Sequence, residues 1–222
     1  MLPFAPSPRP PEWSQEIARL PATVTNHGIC RGVLHPHVMP AEHAGVGVHT
    51  ARLLLRRWLS TDRASFAAMN ADPAVMEHFP ATLTREQSDA LVDRIEGLFD
   101  ANSFGLWAVE VKATGEFIGF TGLAPVGFEA HFTPAVEIGW RLARPAWGHG
   151  YATEAAQASL SYGFETAKLD EIISMTATTN LRSQALMRRL GMTSDPADNF
   201  DHPRVQDNDR LRRHVLFRLA AP

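Results

Sequence analysis

The residue types best suited to chemistry fall in one stretch, Glu137-Ile-Gly-Trp140-Arg-Leu-Ala-Arg144-Pro-Ala-Trp147-Gly148-His149-Gly150-Tyr151-Ala152-Thr153-Glu154. A β-rich run passes into a turn with small residues at 148, 150 and 152, then directly into helix-forming sequence. Small residues let main-chain N–H groups approach an anion closely, and the start of a helix adds a favourable dipole. A diphosphate is the natural guest. Glu154 falls in the first helical turn and opposes an anion weakly, so backbone donors must dominate. A nucleotide P-loop would need Gly-Lys-Ser/Thr, which is absent. A dinucleotide fingerprint would need a third glycine where Thr153 stands, and a nucleophile elbow Gly-x-Ser-x-Gly occurs nowhere. A plain strand-to-helix turn with glycines for packing fits the same letters equally well.

Other clusters carry less. His27, His35, His37, His43 and His49 crowd one stretch, but no Cys, Asp or Glu stands at supporting metal-ligand spacing, which favours a solvated loop. Asp195, Asp198, Asp201, Asp207 and Asp209 could form an acidic lip for a cationic acceptor, or simply a solvated loop. Phe128, His131, Phe132 and His202 are further candidate acceptor contacts. Trp140 and Trp147 could wall a channel, although aromatics near a turn are more often core. Cys30 is the single cysteine, so no internal disulfide or thiolate cluster can form.

The elements that must position these residues follow from periodicity and caps. Ala51–Trp58 reads as a strand, and Ser60 or Thr61 caps a helix through Asn70. Asp72-Pro73 predicts another short helix by the cap-then-proline rule. Thr84 with Gln87 is a capping-box signature ahead of Ala90, Leu91, Ile95 and Leu98. Phe104–Val111 and Phe117–Leu123 are strands joined by the hairpin signal Lys112-Ala-Thr-Gly115, and Pro134–Ala143 is a third. Ala152–Ala167 is helical, Asp170–Thr178 a strand, Leu181–Leu190 a helix closed by Gly191, and His214–Leu219 a last strand. Asn180 sits where a helix N-cap belongs. Strands early and a β-α-β-α ending indicate an α/β class: a mixed sheet with helices on both faces.

Residues 1–48 differ from the rest. They hold eight of the sixteen prolines and read as an extended arm with one short helix over Ser14–Leu20, leaving a domain over 49–222. The chain of 222 residues is 45% hydrophobic and 20% charged, enough to bury a sizeable core. A formal net charge of −3 without a Lys/Arg stripe argues against nucleic acid or a membrane surface as partner. Met1 to Pro8 carry neither a basic nor an apolar targeting segment, and the expected location is cytoplasmic.

Trp147–Ala152 resembles the pyrophosphate loop of the GNAT acetyltransferase superfamily, Gln/Arg-x-x-Gly-x-Gly/Ala, with Gly150 and Ala152 at the two small positions. Trp147 replaces the usual Gln/Arg, and that departure is similar to the Rim-type branch, whose loops read Trp-Gly-x-Gly-Tyr-Ala-Thr-Glu-Ala. The likeness extends from about Thr50 to Leu219. It includes Thr50-Ala-Arg-Leu-Leu-Leu-Arg56, the Glu137-Ile-Gly-Trp strand, and Asn180-Leu-Arg-Ser183-Gln-Ala-Leu-Met187-Arg-Arg-Leu-Gly191.

The resemblance implies the GNAT fold, in which acetyl-CoA is the co-substrate and lies between two splayed parallel strands. Arg141 and Leu142 would then offer backbone contacts to the pantetheine. Amides from Gly148 through His149, Gly150 and Tyr151 to Ala152 would hold the diphosphate beside Trp147. Substitution by other small side chains should matter little there. Glu137 matches a glutamate proposed as a water-mediated base, although an outward strand residue paired with a cation is the rival reading. Asn180 could contact the pantetheine as well as cap its helix. The family tyrosine that protonates the leaving thiolate is replaced by Met187. Ser183 resembles a Rim-branch serine given that task, yet an alcohol is a weaker acid than a thiol near 8.5, so it can stabilise or relay and little more.

An amine must be neutral to attack. At pH 7 roughly one-tenth of a peptide α-amine is neutral, against about one lysine side chain in 2,500, so a base matters most for an alkylamine. The expected activity is N-acetylation of a primary amine, a small molecule or a protein N-terminus, by direct attack in a ternary complex. Its rival is an acyl-CoA-binding module with little turnover that acts through a protein partner. A homodimer is a further candidate partner, and the sequence leaves the oligomeric state and the role of residues 1–48 open.

Overall fold

The computed structural model describes residues 47–222. The proposed arm helix, Cys30, and His27, His35, His37 and His43 lie outside the described residues. Among the described residues, eight strands form one sheet in the order β1-β2-β3-β4-β5-β6-β8-β7. These are β1 (Val48–His49), β2 (Leu53–Arg56), β3 (Leu106–Val111), β4 (Glu116–Pro125), β5 (Val136–Leu142), β6 (Glu171–Ala177), β7 (Phe200–Asp201) and β8 (Arg213–Ala220). Every pairing is antiparallel except β5 with β6.

Among the described residues, four α-helices accompany the sheet: α1 (Asp62–Ala71), α2 (Arg85–Asn102), α3 (Tyr151–Ser161) and α4 (Leu181–Arg189). The capping box forms as expected at α2, where the Gln87 amide donates to Thr84 Oγ1 at 3.2 Å and the Thr84 amide donates to Gln87 Oε1 at 2.9 Å. At α1 the start falls as expected, but Thr61 makes no side-chain cap. Asp62, the first helical residue, instead ties the helix to the chain before it, accepting from the Leu59 amide at 2.8 Å while gripping Arg56 at 2.7 Å.

Asp72-Pro73 does not start a helix. Asp72 Oδ1 accepts from the Ala74 amide at 2.8 Å, and the short side chain closes a turn in place of a first helical turn. The hairpin at 112–115 closes on Gly115, in the left-handed region at φ 70°. Helix α3 ends earlier than expected and passes into a π-helical turn over Tyr162–Thr166. The short strand β7 was not legible from the sequence.

The main core gathers Leu53, Leu55, Phe66, Ile95, Leu123, Ile138, Ile172 and Phe217, all but sealed from solvent. Trp58 meets Phe66 edge-on at 4.7 Å, and its indole donates to the Leu106 carbonyl at 2.8 Å, so the apolar body is buried and the polar edge satisfied. A second, smaller cluster of Phe132, Ile173, Phe200 and Leu216 covers the sheet where β5 meets β6 and β8.

Candidate active site

Strands β5 and β6 touch once and then part. Their parallel pairing is confined to Glu137 opposite Ile173, reinforced by Ser174 Oγ donating to the Ile138 carbonyl at 3.0 Å. Beyond that neck each strand runs to its own helix, β5 to α3 and β6 to α4. Antiparallel pairing continues on the other side of β5, from Pro125/Val136 to Gly119/Leu142. The Ala143 amide bonds to Ile118, so by two-residue alternation Arg141, Gly139 and Glu137 turn their main chain toward β4. Trp140 and Leu142 face the gap. The Leu142 carbonyl is already taken by the Trp147 indole at 2.8 Å. Trp140 and the Leu142 amide therefore stand where backbone contacts from Arg141 and Leu142 were expected. The side chains of Trp140 and Trp147 both pack on the main core.

At the mouth of the gap lies the turn that opens α3. Gly148 and Gly150 sit in the left-handed region at φ 82° and 79°. A Cβ on Gly148 would meet nothing within 4 Å, so glycine is required there by backbone angle rather than by space. Alanine is thus not innocuous at that position, contrary to the sequence-based expectation. Among the described residues, no protein group accepts a hydrogen bond from the amides of residues 148–153, and Glu154 is the first to bond back, to Gly150 at 3.1 Å. Ala152 and Tyr151 belong to the first turn of the helix, and His149 stacks on Tyr151 at 5.5 Å.

The charge of Glu154 is disposed of locally. Its carboxylate accepts from Thr50 Oγ1 at 2.6 Å, the Arg52 amide at 2.7 Å and Arg52 Nε at 2.7 Å. Burial works against its ionised form, but those hydrogen bonds outweigh it and hold the carboxyl below its ordinary range. Arg144 and Arg182 lie over the Trp147 ring at 4.8 and 5.1 Å, adding positive charge beside the turn.

Glu137 stands at the neck, partly buried, and among the described residues no hydrogen bond reaches its carboxylate. Burial pushes its pKa up to about 7, against the pull of the Arg204 cation. Arg204 lies over Phe128 at 5.5 Å and donates to the Gly127 carbonyl. Phe128 in turn meets Phe132 at 6.2 Å and His202 at 4.7 Å, and His202 meets His214 at 4.8 Å. The expected acceptor contacts Phe128, Phe132 and His202 are thus one aromatic wall beside the neck. Arg204 and His214 escaped the sequence reading, since only the pairing of β8 with β6 and β7, and the loop that follows β7, bring them there.

Across the gap, Asn180 caps α4. Its Oδ1 accepts from the Ser183 amide at 3.2 Å and its Nδ2 donates to Thr176 Oγ1 at 3.0 Å, so both ends of the amide are engaged. Ser183 is partly buried in the first turn, and Met187 is sealed in the core. The acidic run does not form a free lip. Asp195 caps Ala197, Asp198 binds Arg218 at 2.8 Å, Asp201 binds Arg213 at 3.2 Å and Asp207 binds Arg212 at 2.9 Å. No group of three His, Cys, Asp or Glu suited to a metal occurs among the described residues.

A parted strand pair with unpartnered amides at its mouth is the geometry of a thioester-nucleotide site, and residues 52–193 match the family model for the acetyltransferase (GNAT) domain. The chain belongs to the GNAT acetyltransferase family. Acetyl transfer from acetyl-CoA is the general activity of GNAT enzymes. YkkB of Bacillus subtilis (strain 168) is 33% identical over 144 residues, 64% of this chain and 83% of that protein. FsC-acetyl coenzyme A-N(2)-transacetylase of Aspergillus fumigatus is 33% identical over 153 residues, 66% of this chain and 64% of that enzyme, just under two thirds of its length. A GNAT acetyltransferase from Bacillus anthracis superposes with a TM-score of 0.66 at 25% identity, covering 79% of this chain and 98% of the other. RimL, a ribosomal L7/L12 acetyltransferase solved with coenzyme A, shares the GNAT fold at a TM-score of 0.64 and 14% identity over 79% of this chain and 98% of RimL.

Proposed function

We propose that this GNAT enzyme acetylates a primary amine by direct attack in a ternary complex, with Glu137 as the base. The observation that carries the reading is the coincidence, on one strand pair, of unpartnered amides at 148–153 with a carboxyl at the neck whose pKa lies near 7. Bound acetyl-CoA supplies the electrophilic thioester carbonyl. The amides fit its diphosphate, and the gap-facing main chain of Trp140 and Leu142 fits a strand-like pantetheine. Asn180 holds the opposite wall by capping α4.

Glu137 takes the proton from the acceptor ammonium, directly or through a water; the freed nitrogen bonds to the acyl carbon, the carbon–sulfur bond breaks, and the nitrogen's second proton passes to the departing thiolate, leaving the amide and free coenzyme A. A base near pKa 7 is half ionised at neutral pH and can still accept a proton. Ser183, in the first turn of α4, donates a hydrogen bond to the departing sulfur. No covalent enzyme intermediate is required. The amine is that of a small molecule or of a protein N-terminus, and the enzyme works in the cytoplasm, consistent with a single cysteine in the chain. Residues 49–222 are the catalytic domain, residues 1–48 an extension outside it, and the chain pairs as a homodimer.

Met187 supports a second reading. A buried methionine occupies the place of the family's tyrosine acid, which suits an acyl-CoA-binding module with little turnover. Calorimetry with acetyl-CoA, followed by thiol release across a panel of amines, separates the two. Turnover on at least one amine, slowed by Glu137→Gln, supports the enzyme; tight binding without turnover on any amine supports the module. Light scattering after deletion of residues 1–48 tests the dimer.

A further inference from the structure

The face of β5 that carries Glu137 carries a second unusual group. Residues 137, 139 and 141 point the same way, and Glu137 and Arg141 are about 13 Å apart along the strand. Between them is Gly139, where a Cβ would meet nothing within 4 Å. Gly139 therefore leaves room on that face between the neck and Arg141.

Arg141 is held as few arginines are. Its Nη1 donates to Asn70 Oδ1 at 2.6 Å, and Asn70 is itself fixed by donating to Ser88 Oγ at 2.9 Å. Its guanidinium lies over Phe79 at 4.0 Å and Phe120 at 5.5 Å. Its Nε is buried without a partner. Other partly buried arginines are paired: Arg56 meets Asp62 and Glu110, Arg57 meets Glu96 and Asp100, and Arg218 meets Asp198 and Glu171. Arg94 on α2 shares the unpartnered Nε, but Arg141 alone of the two stands on the strand that carries Glu137. Among the described residues no carboxylate reaches Arg141. Burial pushes its pKa down to about 10, which still leaves it cationic at neutral pH. A desolvated cation with an unused donor edge is costly unless an anion completes it, and a guanidinium fork best matches a planar carboxylate. Phe79, an exposed aromatic, forms the rim through which such a group would enter.

We infer that Arg141, clamped by Asn70 and Phe79, receives a carboxylate of the acceptor, so that the amine acetylated belongs to an amino acid or similar aminocarboxylic acid. The inference rests on the reading of the Glu137 neck as the point of transfer and names the substrate class of that same site. It assigns the acceptor's two ends to one strand face: the amine toward Glu137 across Gly139, the carboxylate on Arg141.

The test compares amino acids with their carboxamides as acceptors, in wild type, Arg141→Gln and Arg141→Lys. Wild type should favour the acids by about 10- to 100-fold in kcat/KM, the range of a charge-assisted bidentate contact, expressed mainly in KM. Arg141→Gln should erase that preference, and Arg141→Lys should restore part of it. Acetyl-CoA affinity by calorimetry should stay within about twofold, and Tm should not fall, since a desolvated charge has been removed. Equal use of acids and amides by wild type, or a preference retained by Arg141→Gln, overturns the assignment. Loss of acetyl-CoA affinity in Arg141→Gln would overturn it too, placing Arg141 in the cofactor's grip. Should turnover fail throughout, the transfer reading falls separately. Calorimetry of N-acetylated amino acids against their amides, with coenzyme A present, then still decides, because a carboxylate seat binds the acids more tightly and a mere structural arginine binds both alike.

Discussion

Arg52 and Glu154, on β2's approach and on the first turn of α3, close a salt bridge of 2.7 Å, with the Arg52 amide donating to the same carboxylate. Arg52 also donates to the His149 carbonyl at 2.9 Å and lies over Tyr151 at 4.8 Å. One arginine thus ties down the turn and neutralises the acid that would otherwise face an anion at the helix start. Arg52→Ala should weaken acetyl-CoA binding several-fold while costing no more than about 1 kcal/mol in stability, because Arg52 is half-exposed. Glu154→Gln should leave affinity unchanged or improve it. Calorimetry and thermal melts check both, and a Glu154→Gln variant that binds worse would contradict the electrostatic account.

Gly148 has open space around its Cβ position but a φ of 82°. Gly148→Ala should therefore cost about 1–2 kcal/mol through backbone strain and displace the flanking amides. An acetyl-CoA Kd raised about tenfold with a Tm loss of several degrees is the expected result. A neutral variant would mean that the turn tolerates another backbone path.

Glu137 makes opposite predictions for rate and stability. Its carboxyl is pushed up to about 7, above the unfolded value near 4.5, so the folded state favours the protonated form. Stability from this group is full below pH 4.5 and is lost as pH rises through 7. Activity on an alkylamine should rise over that same window. Glu137→Gln should lower kcat on an alkylamine about 100-fold or more and on a peptide N-terminus by less, while raising Tm at pH 8 and leaving it unchanged at pH 4. Equal rates for variant and wild type on both acceptors would remove Glu137 from the chemistry.

His202 is pushed down to about 3 by burial, with His214 and Arg204 adding to it, and burial lowers His214 as well. Both stay neutral in the folded state where the unfolded chain takes up protons. Their contribution is full above pH 6.5 and is lost as pH falls below it. Melts from pH 7.5 to pH 5 should show a falling Tm, and His202→Phe should flatten that slope. An unchanged slope in the variant would show that the aromatic wall tolerates charge.

Much of this was legible in the letters because it depends on local rules. Gly148 and Gly150 announced a turn that only glycine enters readily, and Thr84 with Gln87 announced a cap that forms bond for bond. Asn180 read as an N-cap and is one. The misses depend on what the chain meets elsewhere. Asp72-Pro73 carries a helix-start signal, but its carboxylate closes a turn. Arg141 was read for its main chain, yet the register with β4 turns that main chain away and sends the side chain to Asn70, 71 positions earlier. Arg204 and His214 belong to no motif: Arg204 acts on Glu137 from the loop after β7, and His214 joins the aromatic wall only through the pairing of β8. The acidic run looked like a lip because two of its partners, Arg213 and Arg218, lie on β8 and the third, Arg212, comes from the loop that leads into it.

The most direct measurement is a crystal structure with coenzyme A bound. The account predicts diphosphate oxygens at about 2.7–3.2 Å from several amides of residues 148–153, with the pantetheine along Trp140 in the gap between β5 and β6. Coenzyme A bound elsewhere, or those amides turned to protein acceptors in the complex, would contradict it.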